Sequence, residues 1–341
     1  MEQATPFDHS RRIMDLLRGY REARVLISFA ELGIGDALAD GPLPAEAVAD
    51  AIGADPGATA RFLNAARFLG LVEQDGDTYR LTPLAADTLT SGGASSVLNF
   101  ARREAAFYRR WAHLTDAVKI GGRPAASLQE EQDPNWVRDF TLALYDTARI
   151  AAPGITAALT PFIEGLGRPA RVIDVGGGHG GYSIDLARRF PDLEATVFDL
   201  PPVIEVTREI VAASGVGDRV SVVAGDFHQD PLGTGYDLAL VFGVLVGEDR
   251  EGSVRLLRTV RDALAPGGVA AVRSHHAGRR GEPSLNGALF DLQMLLSTRG
   301  GAAHEVADTA GWLREAGFTE VETLDLPAPA TGILLIARAP A

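Results

Sequence analysis

The sequence predicts an α/β protein: a doubly wound, mostly parallel sheet with an antiparallel last strand, preceded by a smaller α-helical domain. Three observations predict it. Residues 171–183, Arg-Val-Ile-Asp-Val-Gly-Gly-Gly-His-Gly-Gly-Tyr-Ser, pack an apolar strand, an acid and a glycine loop into one segment, and Val172, Ile173 and Val175 suit a strand covered on both faces. From Gly165 onward strand and helix patterns alternate, which demands crossovers and therefore parallel pairing. At the end, strands over 319–326 and 331–338 are joined through Pro327-Ala328-Pro329, a link too short for a crossover, so the last pair must be antiparallel.

The N-terminal domain is read over residues 1–96. Ile13, Leu16, Leu17, Tyr20, Val25, Leu26, Phe29 and Leu32 recur at helical spacing over 10–32. Pro44 starts a short helix over 44–51, and Asp55-Pro56 opens another that runs to Leu69. Strands at 71–74 and 78–81 flank Asp75-Gly76-Asp77, a hairpin by its turn chemistry. Helices followed by a small hairpin make a winged helix, which raises a DNA-binding regulator as one function. The charge opposes it: the candidate recognition helix carries only Arg61 and Arg67, and the first 95 residues hold fourteen acids against eight bases. Residues 97–164 form a mostly helical bridge with a loop at 121–124. Phe107, Tyr108, Trp111, Trp136, Phe140 and Tyr145 concentrate there, as helix-packing core or as walls for a flat or apolar substrate. The catalytic domain is read over 165–341.

Composition narrows the classes further. A chain of 341 residues with 46% hydrophobic content can bury a sizeable core. It has no cysteine, which excludes disulfides, thiolate metal sites and a cysteine nucleophile. The formal charge of -13 opposes nucleic acid and anionic membrane as partners. Residues 1–6 show no basic region leading into an apolar run, and the longest apolar stretch, 238–246, is too short to span a bilayer and suits a central strand. These features lead to the expectation of a cytoplasmic enzyme.

The glycine loop defines the site. Gly176, Gly178 and Gly180 permit a tight turn with backbone open to a ligand, and the helix from Tyr182 to Phe190 points its N-terminus at the occupant. Gly176, Gly178 and Gly181 also satisfy the dinucleotide spacing G-x-G-x-x-G. Either cofactor wants an acid after the next strand to hold ribose hydroxyls, and Asp199 supplies it. Asp174 tips the balance: a carboxylate beside the loop repels a pyrophosphate and welcomes an ammonium, as carried by S-adenosylmethionine (SAM). After a third strand at 220–223, Gly225-Asp226-Phe227 offers an acid for the adenine amino group and a ring to cover the base. A helix over 249–264 stops at Ala265-Pro266-Gly267-Gly268, which turns into a strand at 269–272.

Together these residues resemble the class I SAM-dependent methyltransferases, and more narrowly the small-molecule O-methyltransferase family of plant phenolic and bacterial natural-product tailoring enzymes. The resemblance rests on Ile173-Asp174-Val175-Gly176-Gly177-Gly178-His179-Gly180, Phe198-Asp199-Leu200-Pro201, Gly225-Asp226-Phe227 and Pro266-Gly267-Gly268. Asp291-Leu292-Gln293-Met294-Leu295, Gly300-Gly301 and Trp312-Leu313-Arg314-Glu315-Ala316-Gly317-Phe318 extend it. It implies SAM held by Asp174, Gly176, Gly178, Gly180, Asp199, Leu200, Asp226, Phe227 and Phe242. It also implies a homodimer made by the N-terminal domain, which leans over the partner's active site, and a small organic substrate walled by the bridging helices.

One position departs from the family. Its usual base is a histidine just beyond the fourth strand, and residues 242–251 here read Phe-Gly-Val-Leu-Val-Gly-Glu-Asp-Arg-Glu, with Val246 in the histidine slot and Gly247 after it. Valine accepts no proton. Three explanations follow. Another residue serves as base: His275 or His276, after the strand at 269–272, or Glu248 or Asp249 beside the slot. The acceptor needs no strong base, which raises nitrogen or carbon against the family's default oxygen. Or SAM is bound without methyl transfer, as in decarboxylation, hydroxylation or rearrangement. Of the other histidines, His179 is expected to face solvent or the cofactor's polar end, His228 to be a loop residue, and His304 to lie near the active site. No histidine pair or acid cluster has metal-ligand spacing.

Overall fold

The computed structural model describes residues 6–274, 278–279 and 282–341. The chain divides into two compact units, Met1–Phe107 and Tyr108–Ala341. In the first, Gly19 splits the expected 10–32 helix into α1 (Pro6–Arg18) and α2 (Tyr20–Glu31). There follow α3 (Ile34–Ala37), β1 (Leu43–Pro44), α4 (Ala45–Ile52), α5 (Pro56–Phe68), β2 (Val72–Asp75), β3 (Thr78–Leu81) and α6 (Pro83–Thr88). Asp55 caps α5 by accepting a hydrogen bond from Ala58 N at 2.7 Å. The β2–β3 hairpin is antiparallel, with Glu73 opposite Arg80. Two-residue β1 adds a third strand against β3, too short to leave a periodic signature. Phe29, Ile34, Val48, Leu63 and Leu71 form this unit's core, while Phe7, Ile13, Leu16, Leu17 and Tyr20 of α1 and α2 stay exposed.

α7 (Leu98–Trp111) runs across the division. The second unit continues through α8 (Leu114–Ile120), a 3-10 segment at Ala125–Gln132, and the long α9 (Trp136–Glu164). Then come β4 (Arg171–Val175), α10 (Gly181–Arg189), β5 (Glu194–Asp199), α11 (Pro201–Ala213), β6 (Val220–Ala224) and β7 (Tyr236–Phe242). The chain closes with α12 (Arg250–Ala263), β8 (Leu264–Arg273), β9 (Gly278–Arg279), β10 (Glu282–Pro283), α13 (Leu285–Ser297), α14 (Val306–Glu315), β11 (Thr319–Asp325) and β12 (Ile333–Arg338). The seven-stranded sheet has the order β11-β12-β8-β7-β4-β5-β6. β4 pairs in parallel with both β5 and β7, and β12 runs antiparallel between β8 and β11, as the short 327–329 link requires.

Alternating side chains cover both faces of this sheet. Val172, Leu238, Leu240 and Ala271 pack with α9, α10 and α11 residues such as Ile155, Ile184 and Ile210. Ile173, Val175, Ala239, Val241 and Val272 pack with Leu257, Val260 and Leu313 of α12 and α14. Two details differ from the sequence reading. The apolar run 238–246 is strand only to Phe242, after which residues 245–247 form a 3-10 turn. Residues 265–268 form an irregularity inside β8, where pairing steps from Tyr236–Leu264 to Leu238–Val269, rather than a turn before it. Among the described residues, no helix is long and apolar enough to cross a membrane.

Gly154 lets α9 approach the 327–330 loop: a Cβ there would lie 2.5 Å from the Pro327 carbonyl oxygen and 2.7 Å from Ala330 Cβ. Backbone on one side leaves no cheap relaxation. Gly154→Ala is expected to destabilise the protein by about 1–3 kcal/mol, read as a lower urea midpoint at unchanged slope.

Candidate active site

Among the described residues, Asp174, the glycine loop, Asp199, Asp226, Phe227, Phe242 and Glu248 stand at or just beyond the carboxyl ends of β4, β5, β6 and β7, which lie side by side in the sheet. β4 delivers its loop toward α10 on one face and β7 delivers its turn toward α12 on the other, so the crevice lies at a topological switch point. Gly176 and Gly178 adopt φ of 62° and 50°, a region that side chains disfavour. Gly176 N donates to Phe198 O at 2.8 Å, tying the loop to the end of β5. A Cβ on Gly177 would fall 2.6 Å from Asp174 Cγ, so the loop folds directly over that carboxyl.

The acids of the crevice have distinct environments. Asp174 is buried; Ser183 Oγ donates to its Oδ2 at 3.0 Å, and its Oδ1 has no hydrogen-bond partner among the described residues. Burial pushes its pKa up to about 7, against the lowering effect of the Ser183 bond, and the neighbouring Asp199 charge adds to the rise. Asp199 accepts from Gly178 N at 2.8 Å on Oδ2 and from Leu200 N at 2.7 Å on Oδ1, which leaves lone pairs on both oxygens. Burial raises its pKa as well. Asp226 is held below the usual carboxylate range, chiefly by the His228 N–H bond at 2.9 Å and also by Gln229 Nε2 at 2.8 Å. Leu200, which follows Asp199, is exposed, and Phe227 packs against the apolar cluster that includes Phe198, Ala239 and Val241.

An aromatic series that the sequence reading missed runs beneath the loop. Tyr145 of α9 faces His179 at 6.1 Å between centroids, His179 meets Tyr182 at 5.4 Å, and Tyr182 stands edge-on to Phe242 at 5.1 Å. His179 is therefore buried rather than facing solvent. Its Nδ1 accepts from Gly181 N at 2.9 Å, capping α10, and burial lowers its pKa to about 4, so the ring is neutral at pH 7. Arg273 at the end of β8 reaches the Tyr182 hydroxyl at 3.4 Å. Farther along, Trp111 Nε1 donates to Gln293 Oε1 at 2.6 Å, Gln293 Nε2 to Ser297 Oγ at 2.6 Å, and Arg110 to Ser297 Oγ and Glu131. The Trp111–Gln293 and Arg110–Ser297 bonds join residues 182 and 187 positions apart, a separation no local pattern reveals.

Val246 sits in the 3-10 turn after β7 and is partly buried. Beneath it, His304 Nε2 faces the carbonyl oxygens of Leu245 at 2.9 Å and Glu248 at 3.1 Å, and its ring stands edge-on to Trp312. His304 thus braces the turn that carries Val246. Glu248 turns its carboxylate to His228, Oε1 to Nε2 at 3.2 Å, and Asp249 caps α12 by accepting from Gly252 N at 2.7 Å. His275 and His276 lie outside the described residues. No group of three or more metal-ligating side chains occurs among the described residues.

This donor set suits a nucleoside carrying an ammonium. Asp174 offers an unpartnered buried acceptor, Asp199 has free lone pairs for hydroxyls, and the glycine loop presents bare backbone. Three carboxyl groups at one crevice disfavour a pyrophosphate. Comparison with known proteins agrees. Residues 111–319 match the O-methyltransferase domain and residues 14–91 the O-methyltransferase dimerisation domain. The chain is 30% identical over 328 residues to the 3-hydroxy-5-methyl-1-naphthoate 3-O-methyltransferase of Streptomyces sahachiroi, covering 94% of this chain and 93% of the relative. It is 33% identical over 279 residues to the N,N-dimethyltransferase OxyT of Streptomyces rimosus, covering 78% of each. The fold matches human N-acetylserotonin methyltransferase solved with SAM, at a TM-score of 0.86, 24% identity and full coverage of both chains. Fold and site together define a class I SAM-dependent methyltransferase. Within that class the chain belongs to the small-molecule O-methyltransferase family, with SAM as cofactor.

The acid at position 174 gives a pH test. Folded protein keeps the Asp174 proton to about pH 7, whereas the unfolded chain releases it near 3.8. Native protein therefore binds more protons between these values, and stability falls as pH rises through the window. Asp174→Asn removes that loss. The unfolding temperature of the variant minus wild type, measured without cofactor, should be near its minimum at pH 4 and climb until about pH 8; parallel curves would refute the burial assignment.

Proposed function

We propose that the protein methylates an oxygen or nitrogen of a flat, largely apolar natural-product acceptor whose reacting atom is already nucleophilic near neutral pH. The observation that carries this reading is Val246. The position that would hold a histidine base holds an alkyl side chain, and Glu248, Asp249, His179 and His304 are each engaged in contacts of their own. An amine, or a hydroxyl acidified by its ring, needs alignment more than deprotonation. The similarity to both an O- and an N-methyltransferase supports that range of acceptors, and the comparisons favour methyl transfer over a SAM-binding enzyme that transfers none.

SAM supplies the electrophilic methyl group. The chain supplies position and dryness: Asp199 takes the ribose hydroxyls, Asp174 the ammonium, and Asp226 and Phe227 the adenine, with Gly176, Gly178, Gly180, Leu200 and Phe242 shaping the crevice. The Tyr145–His179–Tyr182–Phe242 series backs the glycine loop from beneath and holds its shape, with His179 and Tyr182 buried. His275 and His276 remain candidates for a substrate contact beyond β8. We place the enzyme in the cytoplasm. The dimerisation domain supports a homodimer; the exposed apolar residues of α1 and α2 are the surface we assign to that interface, with the domain leaning over the partner's active site.

The mechanism is tested with substituted phenols and anilines, methyl-deuterated SAM, and mass spectrometry of the products. For phenols, kcat/KM should rise with pH along each acceptor's own ionisation. A common protein pKa shared by all acceptors, lost in His275→Ala or His276→Ala, would instead identify a histidine base. Asp199→Ala should weaken SAM binding at least about tenfold by calorimetry, as expected for loss of charge-assisted hydrogen bonds.

A further inference from the structure

The carboxyl edge of the sheet carries a side-chain bridge over a gap that backbone pairing does not close. His228 lies in the turn after β6 and Glu248 in the turn after β7. In the sheet those strands are separated by β5 and β4, three inter-strand steps or about 14 Å. Yet His228 Nε2 comes within 3.2 Å of Glu248 Oε1, an ion pair when the imidazole is protonated. Between the two feet of this bridge lie the ends of β4 and β5, which carry the glycine loop and Asp199.

Both feet are anchored. On the β6 side, the Asp226 carboxylate accepts from His228 N and from Gln229 Nε2, and Asp226 N donates to Asp230 Oδ2 at 2.8 Å. A Cβ on Gly225 would sit 2.4 Å from Phe198 Cζ, so this turn is pressed against the end of β5. Phe227 extends the contact, its ring 4.5 Å from that of His228. On the β7 side, His304 holds the carbonyls of Leu245 and Glu248. Gly252 leaves room for the carboxylate itself, since a Cβ there would fall 2.3 Å from Glu248 Oε2. The chain thus commits several residues to presenting two side chains to each other across the crevice.

We propose that the His228–Glu248 pair is a clasp over the adenosine end of the cofactor site and slows release of the nucleoside. This rests on the cofactor placement proposed above. A nucleoside bound between Asp199 and Asp226 leaves past this pair, so the contact must open in each turnover before S-adenosylhomocysteine is exchanged for SAM. Glu248 then acts on cofactor residence, not on a substrate proton.

The test is the dissociation rate of S-adenosylhomocysteine, displaced from the full-length protein by excess SAM, in wild type, Glu248→Gln, His228→Gln and the double variant. Each single change should raise the rate about threefold to fivefold, the upper range for a partly exposed ion pair. The double variant should be no faster than either single, because both remove the same contact. Gly252→Ala, which displaces the carboxylate without removing it, should reproduce the effect. Rates within experimental error of wild type, or single effects that multiply in the double variant, overturn the clasp. Asp199→Ala separates the two readings: unchanged affinity there refutes the cofactor placement itself, whereas weakened affinity alongside unaltered release in the clasp variants refutes only the clasp.

Discussion

The site depends on β4 being hydrogen-bonded along both edges. Its pairing with β5 and β7 puts Asp174 and the glycine loop at the middle of the sheet, with an acid-bearing strand end on one side and the β7 turn on the other. Because α10 leaves on one face and α12 on the opposite one, the loops part above β4 and a crevice opens there without any side chain having to carve it. Asp199 then fixes the loop's height, since its two oxygens accept from Gly178 and Leu200 together. A shift of one residue in the β4–β5 register would break this carboxylate clamp and turn the core face of β5 outward.

Much of this geometry was legible in the sequence, for identifiable reasons. Strand, acid and glycine spacing at 171–183 is a local signal, because the loop folds back on the strand that feeds it. The antiparallel end was legible because so short a link as the one around Pro327-Ala328-Pro329 cannot cross a sheet. The sequence was silent where partners are remote. The Trp111–Gln293–Ser297–Arg110 network joins residues nearly two hundred positions apart, and nothing about any one of them marks it. Of the two alternatives for His179, the solvent-facing one fails for a related reason: a polar residue in a glycine loop reads as exposed, and only the placement of Tyr145 from α9 and Tyr182 from α10 buries it. The bulge at 265–268 was missed because Pro-Gly-Gly carries the same signal whether it precedes a strand or interrupts one.

Val246 in the β7 turn directs attention to the residues around it. In this chain the β7 turn is stiffened from below by His304 and tied through Glu248 to His228, so these side chains serve as braces. A turn held this firmly suits a site that works by alignment. Two fixed surfaces, the glycine loop and the β7 turn, leave a narrow range of approach for an acceptor, and a narrow range favours in-line displacement.

β12 has a consequence for how the polypeptide reaches this state. The strand nearest the end of the chain occupies an interior position, flanked by β8 and β11, and the bonds from Ala339 N to Gly268 O and from Gly267 N to Pro340 O fasten it further. Until residues 333–338 are in place, β8 has an open edge of buried-type apolar residues, and β11 has no strand to pair with. The sheet therefore keeps an open, apolar edge at β8 until residues 333–338 add to it. Pairing of this kind joins residues more than sixty positions apart, as in Leu334 opposite Arg273, and contacts so remote in sequence form slowly.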